Sequence, residues 1–203
     1  MKLLLTTLCL LASYLYGSIP FALVIGKAFY NTDVRESGSH NLGGTNAGRV
    51  LGKKAGAAVI ALDATKCIVT VLFARFMIHT FQLWPELFYP CAFLCIFGHC
   101  YPCFAQFKGG KGVSSAIAYT LVTNIYSFFI ALATFLVTLK ISKFVSLSSM
   151  LGCIAVCIGM FFVEPSMVAR ITNVCITVLV IYRHHANIGR IIHGEEAKVK
   201  WLK

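Results

Sequence analysis

Long apolar stretches alternate with shorter polar segments along the whole chain. The apolar stretches approach the roughly 20 residues that an α-helix needs to cross a bilayer. Because the hydrocarbon core offers the backbone no hydrogen-bond partner, such segments fold as helices. The pattern predicts an all-α integral membrane protein that forms a single polytopic domain over residues 1–203. We expect long spans at about residues 3–25, 55–77, 87–104, 125–139, 145–163 and 167–181.

A shorter apolar segment at residues 113–124 leaves two topologies open. It is either a tilted short span or a re-entrant half-helix. As a crossing it completes a bundle of about seven transmembrane helices, some short or broken. As a re-entrant segment it moves the turn at 140–143 and the tail to the other side, against the positive-inside rule. We prefer seven spans, which put fourteen of the 18 Lys and Arg residues on the cytoplasmic side: Lys27, Arg35, Arg49, Lys53, Lys54, Lys108, Lys111, Lys140, Lys143, Arg183, Arg190, Lys198, Lys200 and Lys203.

The composition supports a membrane protein, since 58% of the residues are hydrophobic and 12% are charged, against about 25% charged in soluble domains. The net charge of +11 does not indicate nucleic acid as a partner, because the cations punctuate the spans and form no basic face. Most of the nine cysteines lie within apolar spans, where cysteine packs as a small hydrophobic residue. Cys100 and Cys103 have redox spacing without a βαβ pattern, so neither redox chemistry nor zinc is expected.

Two charged residues, Asp63 and Lys66, interrupt the second span. Their spacing of three residues places them on one face of a helix. A buried charge in lipid costs several kcal/mol and usually faces the bundle interior or a polar cavity. The two residues therefore form either a mutual ion pair or part of a functional site.

A loop of glycines and lysines, residues 108–112, follows the third span without a break. Its glycines let backbone N–H groups turn towards a ligand, its lysines add positive charge, and a helix is predicted from Val113. These features are typical of an anion-binding loop. The spacing excludes a Walker loop, because Ala105 stands where the first glycine is required and Gly112 where Ser or Thr is required. The alternative interpretation is a lysine-flanked turn that marks the cytoplasmic end of a helix.

Two more polar segments, residues 37–49 and 183–190, fall on the same predicted side. They contain hydrogen-bond donors and cations but almost no carboxylates, so a two-carboxylate mechanism is not expected. Gly-x-Ser-x-Gly is absent, and no His is followed by Asp at the offset of the acyltransferase His-box. The segments suit phosphorylated ligands. An anion or phosphate-ester transporter is the alternative, although its site would lie at the midplane between repeats, and no repeat is evident.

The three polar segments together resemble the signature motifs of one family. The sequence is similar to that of the membrane-integral glycerol-3-phosphate acyltransferases that use acyl phosphate as donor, the PlsY family. It departs from the family pattern at His40, Gly44 and Cys67, and His40 restricts the loop if its position needs a positive φ. The residues that carry the resemblance are Gly38, Ser39, Asn41, Gly43, Thr45, Asn46, Arg49, Asp63, Lys66, Gly98, His99, Pro102, Phe104, Phe107, Lys108, Gly109, Gly110, Lys111, Gly112, Arg183, His184, Asn187, Ile188, Arg190, Gly194 and Glu196.

This resemblance implies transfer of an acyl group from acyl phosphate to glycerol 3-phosphate, which gives lysophosphatidic acid in the first acylation step of phospholipid biosynthesis. It implies no cofactor or metal. It implies the bacterial inner membrane as location, with cytoplasmic active-site loops, and as partners membrane lipid and an enzyme that produces acyl phosphate. The implied catalytic residues are Ser39, Arg49, Lys111, His184 and Asn187. The implied phosphate-binding residues are Asn41, Gly43, Thr45, Asn46, Lys108, Gly109, Gly110 and Gly112, and Asp63, Lys66 and His99 are supporting residues.

The reaction needs no covalent enzyme nucleophile, because acyl phosphate is already an activated mixed anhydride. The hydroxyl of glycerol 3-phosphate can attack its carbonyl directly if both phosphates are held and the developing oxyanion is stabilised. Either His184 or a substrate phosphate takes the hydroxyl proton, and the sequence leaves both open.

Overall fold

The computed structural model describes residues 1–199, so Lys200 and Lys203 of the charge argument lie outside the described part. Residues 1–199 form ten α-helices, one 3-10 helix and no strand, which confirms the all-α prediction. The helices are α1 (Lys2–Gly17), α2 (Phe21–Tyr30), α3 (Gly44–Val50), α4 (Lys53–Phe81), α5 (Phe88–Cys100), α6 (Val113–Thr123), α7 (Ile125–Ser142), α8 (Val145–Val163), α9 (Met167–Arg183) and α10 (His185–Ile192), with the 3-10 turn Cys103–Ala105 after α5.

Four segments of the described chain are long and apolar enough to cross a membrane singly: α4, α5 with its 3-10 turn, α7 and α8. Two pairs of helices pass the same test as bent spans, α1 with α2 at 42° and α9 with α10 at 55°. These segments correspond to the six predicted long spans. Helix α6 has 11 residues and a length of about 16 Å at 1.5 Å per residue, so its crossing or re-entry stays a prediction.

The first predicted span was expected to be one helix, but the structure breaks it at Pro20. Helix α1 ends at Gly17, α2 begins at Phe21, and the second half extends to Tyr30 instead of ending near Ile25. Proline has no N–H group and clashes with the carbonyl one turn earlier, which explains the break. The ammonium group of Lys66 donates to the carbonyl oxygen of Ile19 at 3.0 Å, so the break supplies an acceptor to a buried cation.

Helix α3 lies in the polar segment between the first and second predicted spans, where no helix was predicted from the sequence. It packs against α4 through glycines, since a Cβ atom on Gly56 would lie 2.6 Å from the Cα atom of Gly48. A Cβ atom on Gly44 would overlap Ile60. This explains why glycine stands at position 44, where the PlsY pattern has alanine. The close approach of small residues is a common way for membrane helices to pack.

The chain forms two compact units, Met1–Tyr119 and Thr120–Lys203. In the first unit α1, α4 and α5 pack together and α3 packs on α4; in the second, α8 packs against both α7 and α9. All nine cysteines are free thiols and none is exposed, as the packing interpretation predicts. Large apolar side chains on the outer faces, such as Phe76, Phe129 and Val178, are exposed, as expected of helices that face lipid.

Candidate active site

The loop that carries Ser39 is shaped by Asn46 on α3. The Asn46 side chain is 1% exposed and its Oδ1 atom accepts the N–H group of Ser39 at 2.7 Å. Its amide group donates to the carbonyl oxygens of Val34 at 2.9 Å and Ser37 at 3.2 Å. The resemblance places Asn46 among the phosphate ligands, but here both amide hydrogens are committed to the backbone. Its visible role is to hold the loop in place.

His40 adopts the left-handed backbone conformation, with φ of 54°. Its side chain is exposed, and its Nδ1 atom donates to the carbonyl oxygen of Arg35 at 2.7 Å. This conformation favours glycine, which the PlsY pattern has at this position. The position therefore has the positive φ that the sequence analysis made the condition, and His40 adopts it.

An ion pair closes the turn between α2 and this loop. Arg35 contacts Asp33 in a forked arrangement, with Arg35 Nη2 2.6 Å from Asp33 Oδ2 and Arg35 Nε 3.0 Å from Asp33 Oδ1. Lys27 Nζ lies 3.7 Å from Asp33 Oδ2. The hydrogen bond from the Arg35 side chain is the main reason why the pKa of Asp33 falls to about 2. This pair was not predicted from the sequence, although the Asp-x-Arg spacing could have indicated it.

The glycine loop is joined directly to the Ser39 loop. The Asn41 side chain accepts the N–H group of Gly43 at 3.0 Å and donates to the carbonyl oxygen of Gly109 at 3.2 Å. Asn41 therefore couples two loops that are far apart in sequence. Around this link lie predicted substrate residues whose exposure varies: Ser39 and Lys111 are half-buried, Gly109 and Gly110 are buried, and Thr45, Arg49 and Lys108 are exposed.

The glycine loop ends at the start of α6, as predicted from the sequence. Gly112 has φ of 80°, a conformation that side chains rarely adopt. Its carbonyl oxygen accepts the N–H group of Ala116 at 2.8 Å and so begins the helix. The first N–H groups of α6 thus follow immediately after Lys111, which is the arrangement that favours an anion.

Beneath the loop lies a buried triad formed by Asp63, Lys66 and His99. The exposed fractions of these residues are 1%, 1% and 6%. Asp63 Oδ1 lies 3.0 Å from Lys66 Nζ and 3.4 Å from His99 Nδ1. Asp63 and Lys66 therefore form the mutual ion pair that was one of the two alternatives, and Asp63 also contacts a third residue, from α5. Among the described residues, Asp63 Oδ2 has no hydrogen-bond partner.

In the second unit, the predicted residues His184 and Asn187 lie at and after the bend between α9 and α10. His184 is buried, and its Nδ1 atom donates to the carbonyl oxygen of Val180 at 2.7 Å. In the neutral ring this leaves the lone pair on Nε2, so Nε2 is the nitrogen that can accept a proton. Asn187 donates to Glu196 Oε1 at 2.6 Å.

Glu196 connects the end of the described chain to helices α8 and α10 through hydrogen bonds. It also accepts hydrogen bonds from Ser146 of α8 at 2.6 Å and from Arg190 of α10 at 2.8 Å. Burial opposes its ionisation, but the hydrogen bonds from Ser146, Asn187 and Arg190 outweigh burial and lower its pKa. Sequence reasoning noted Glu196 only as part of the resemblance and did not single out Ser146, which lies 50 residues away.

These features define an integral membrane protein whose first unit brings together two loops of the kind that bind phosphorylated ligands. Of the predicted catalytic residues, Ser39, Arg49 and Lys111 belong to that unit, and His184 and Asn187 belong to the second. Their individual roles stay predictions.

Comparison with known proteins identifies the family. The sequence model of the glycerol-3-phosphate acyltransferase family matches residues 7–194. The glycerol-3-phosphate acyltransferase of Listeria monocytogenes serovar 1/2a is 46% identical over 95% of this chain and 96% of its own length. That of Bacillus subtilis strain 168 is 44% identical over 98% of this chain and 100% of its own length.

Two crystal structures of PlsY, an integral membrane glycerol 3-phosphate acyltransferase, share the fold. The glycerol 3-phosphate form has a TM-score of 0.88 and 31% identity, and the lysophosphatidic acid form has a TM-score of 0.85 and 30% identity. Each covers 97% of this chain and 96% of the PlsY chain. The chain therefore belongs to the PlsY family of membrane-integral glycerol-3-phosphate acyltransferases, and it is an acyltransferase enzyme.

Proposed function

We propose that the protein transfers an acyl group from acyl phosphate to glycerol 3-phosphate, giving 1-acyl-glycerol 3-phosphate (lysophosphatidic acid) and phosphate. This is the first acylation step of phospholipid biosynthesis. The observation that carries the proposal is the link between the Ser39 loop and the glycine loop through Asn41. It joins two donor-rich loops, as two phosphate-bearing substrates require. The crystal forms of PlsY with glycerol 3-phosphate and with lysophosphatidic acid support the same acceptor and product.

The reaction is a direct displacement at the acyl carbon. The hydroxyl oxygen of glycerol 3-phosphate attacks the carbonyl carbon, the bond from that carbon to the phosphate oxygen breaks, and phosphate leaves with the electron pair. Lys111 and Arg49 bind phosphate as cations, and Ser39 and Asn187 donate hydrogen bonds that orient the substrates and stabilise the oxyanion. His184 or a substrate phosphate takes the proton, and the bond from His184 Nδ1 to Val180 leaves Nε2 as the possible acceptor.

The chemistry of the loops supports acyl phosphate as the donor. A donor whose leaving group is itself a phosphate uses one anion-binding loop while glycerol 3-phosphate uses the other. The membrane spans then accommodate its single acyl chain. The positive charge of the polar loops supports a site on the cytoplasmic side of the inner membrane.

The decisive experiment is an assay of the purified protein with acyl phosphate and glycerol 3-phosphate, following lysophosphatidic acid and phosphate together. We expect one phosphate per product molecule, inhibition by added inorganic phosphate, and poor use of acyl-CoA or acyl-carrier protein. Robust turnover with acyl-CoA alone would overturn the donor assignment. Without glycerol 3-phosphate, no acyl-enzyme should accumulate; an acyl group trapped on Ser39 or a cysteine at the rate of turnover would overturn direct transfer.

A further inference from the structure

We infer that Asp63 and His99 are positioning residues that set the geometry of the glycine loop from beneath. They support the loop that binds a substrate phosphate, so the identity of the ligand rests on the proposed function. The inference starts from their burial. The three ionisable side chains of the triad lie next to the glycine loop, and none of these residues is more than 6% exposed. Apolar residues pack helices at least as well as a buried ion pair does, so such a cluster points to a functional role.

The histidine ring bridges the acid and the loop. Its Nδ1 atom faces Asp63 Oδ1 at 3.4 Å, and its Nε2 atom lies at the opposite edge of the ring against Gly110. A Cβ atom on Gly110 would overlap Nε2 and lie 2.6 Å from Cε1 and 2.9 Å from Cδ2 of the same ring. The three nearest atoms all belong to His99. The ring is therefore the surface on which this part of the loop rests.

The main chain of His99 fixes the same segment. Its carbonyl oxygen accepts the N–H group of Gly110 at 3.0 Å. A Cβ atom on the neighbouring Gly109 would overlap that carbonyl oxygen. Gly109 in turn accepts the hydrogen bond from Asn41. The position of one residue is thus coupled to the peptide groups of Gly109 and Gly110 and to the link with the Ser39 loop.

Asp63 anchors both ends of the loop. Its carboxylate holds His99 at the end of α5, and its main-chain carbonyl oxygen accepts the hydroxyl of Ser115, in the first turn of α6, at 2.7 Å. The loop between α5 and α6 is therefore tied at its beginning and its end to one residue of α4. Lys66 shares the same carboxylate oxygen and donates to Ile19 at the break of the first span, which fixes the orientation of Asp63.

The test compares two amide replacements of the ring, each of which keeps a polar group at only one of the two ring-nitrogen positions. His99→Asn keeps a nitrogen near the Nδ1 position, next to Asp63, but has no atom at the Nε2 position. His99→Gln reaches the Nε2 position and the loop. We expect His99→Asn to raise the KM of at least one phosphate-bearing substrate by about tenfold or more, with kcat changed less than about threefold, because a displaced loop loses binding geometry. His99→Gln should recover part of that loss, because its amide touches the loop but leaves no nitrogen next to Asp63. Thr70→Val is the matched control. Thr70 is buried on α4 close to Lys66, but its hydroxyl donates to the main-chain carbonyl oxygen of Lys66 and its side chain is hydrogen-bonded to Cys95, so the substitution should leave both KM values unchanged.

A double-mutant cycle tests the same contact from the other side. Gly110→Ala should raise KM because the new methyl group meets the ring. In the His99→Asn background the same substitution should cost less, because the atoms it would meet are gone. Additive effects would overturn the inference. So would wild-type KM values for both substrates in His99→Asn, or equal losses of thermal stability in both histidine variants without a change in KM.

Binding without turnover separates this inference from the proposed function. Inorganic phosphate should raise the thermal unfolding temperature of the wild type, and the shift should need about tenfold more phosphate in His99→Asn. If the wild type shows this shift but does not use acyl phosphate, the proposed function fails and the positioning role stands. If turnover is confirmed but phosphate stabilises both proteins equally and the KM values agree, the positioning role fails alone.

Discussion

Asn46 provides the sharpest test of how the Ser39 loop is built. In Asn46→Ala, three backbone groups lose their partner: the N–H group of Ser39 and the carbonyl oxygens of Val34 and Ser37. Val34 is fully buried, so its carbonyl is left unsatisfied at a cost of about 1–3 kcal/mol. The other two groups lie nearer the surface, and each loses a bond worth about 0.5–1.5 kcal/mol. We expect a total loss of about 3 kcal/mol, or about 6–12 °C in Tm for a chain of this size.

The assay is thermal unfolding of the purified protein in one detergent, with initial rates measured well below both Tm values. The catalytic efficiency kcat/KM should fall by about tenfold or more, because the Ser39 backbone loses its fixed position. Asn46→Asp should be no more stable than Asn46→Ala, since it places an oxygen against the two carbonyl oxygens that the amide now contacts. Glu36→Ala, an exposed change in the same loop, is the control and should stay within about 0.5 kcal/mol of the wild type. A Tm for Asn46→Ala within about 2 °C of the wild-type value would refute this account. At about 2–4 °C per kcal/mol, such a shift corresponds to a loss of at most about 1 kcal/mol.

Four further results are expected. His40→Gly should change stability by less than about 1 kcal/mol, because relief of the left-handed conformation is offset by greater freedom in the unfolded chain, whereas His40→Val should lose about 1–2 kcal/mol; equal unfolding curves for both would contradict this. Lys111→Ala should abolish acyl transfer with Tm nearly unchanged, and Lys111→Arg should restore little activity because a planar fork replaces a point charge. Near-normal activity in Lys111→Ala would favour the alternative interpretation of the loop as a lysine-flanked turn. The pKa of Asp33 is lowered to about 2, so its stabilising effect is complete above an unfolded pKa near 3.9 and is lost as the pH falls towards 2; unfolding curves from pH 5 to pH 2 should show this decline in the wild type and a weaker one in Asp33→Asn. Cysteines introduced at Lys198 and Glu164 should be labelled from opposite sides of sealed vesicles, and labelling from one side would exclude the seven-span topology.

The fold class was predictable because hydropathy acts locally. Each long apolar stretch must be helical in lipid whatever its neighbours are, so the bounds of α8 agree with the prediction and those of α7 and α9 extend it by a few residues. The same holds for the start of α6 after the glycine loop, which follows from glycine and helix-start chemistry within a few residues. Helix α3 escaped prediction because it has only seven residues and small side chains, and its packing against α4 gives no periodic apolar signal.

The sequence by itself determined which segments are long and apolar enough to cross a membrane and which residues are candidates for phosphate binding, because both depend on residue type and short spacing. Only the tertiary structure decided how those residues are used. It turned Asn46 into the support of the Ser39 loop, gave Lys66 an acceptor at the break before Pro20, and brought His99 of α5 to Asp63 of α4. These contacts join residues far apart in sequence, and their geometry depends on how the helices pack, which no local pattern encodes.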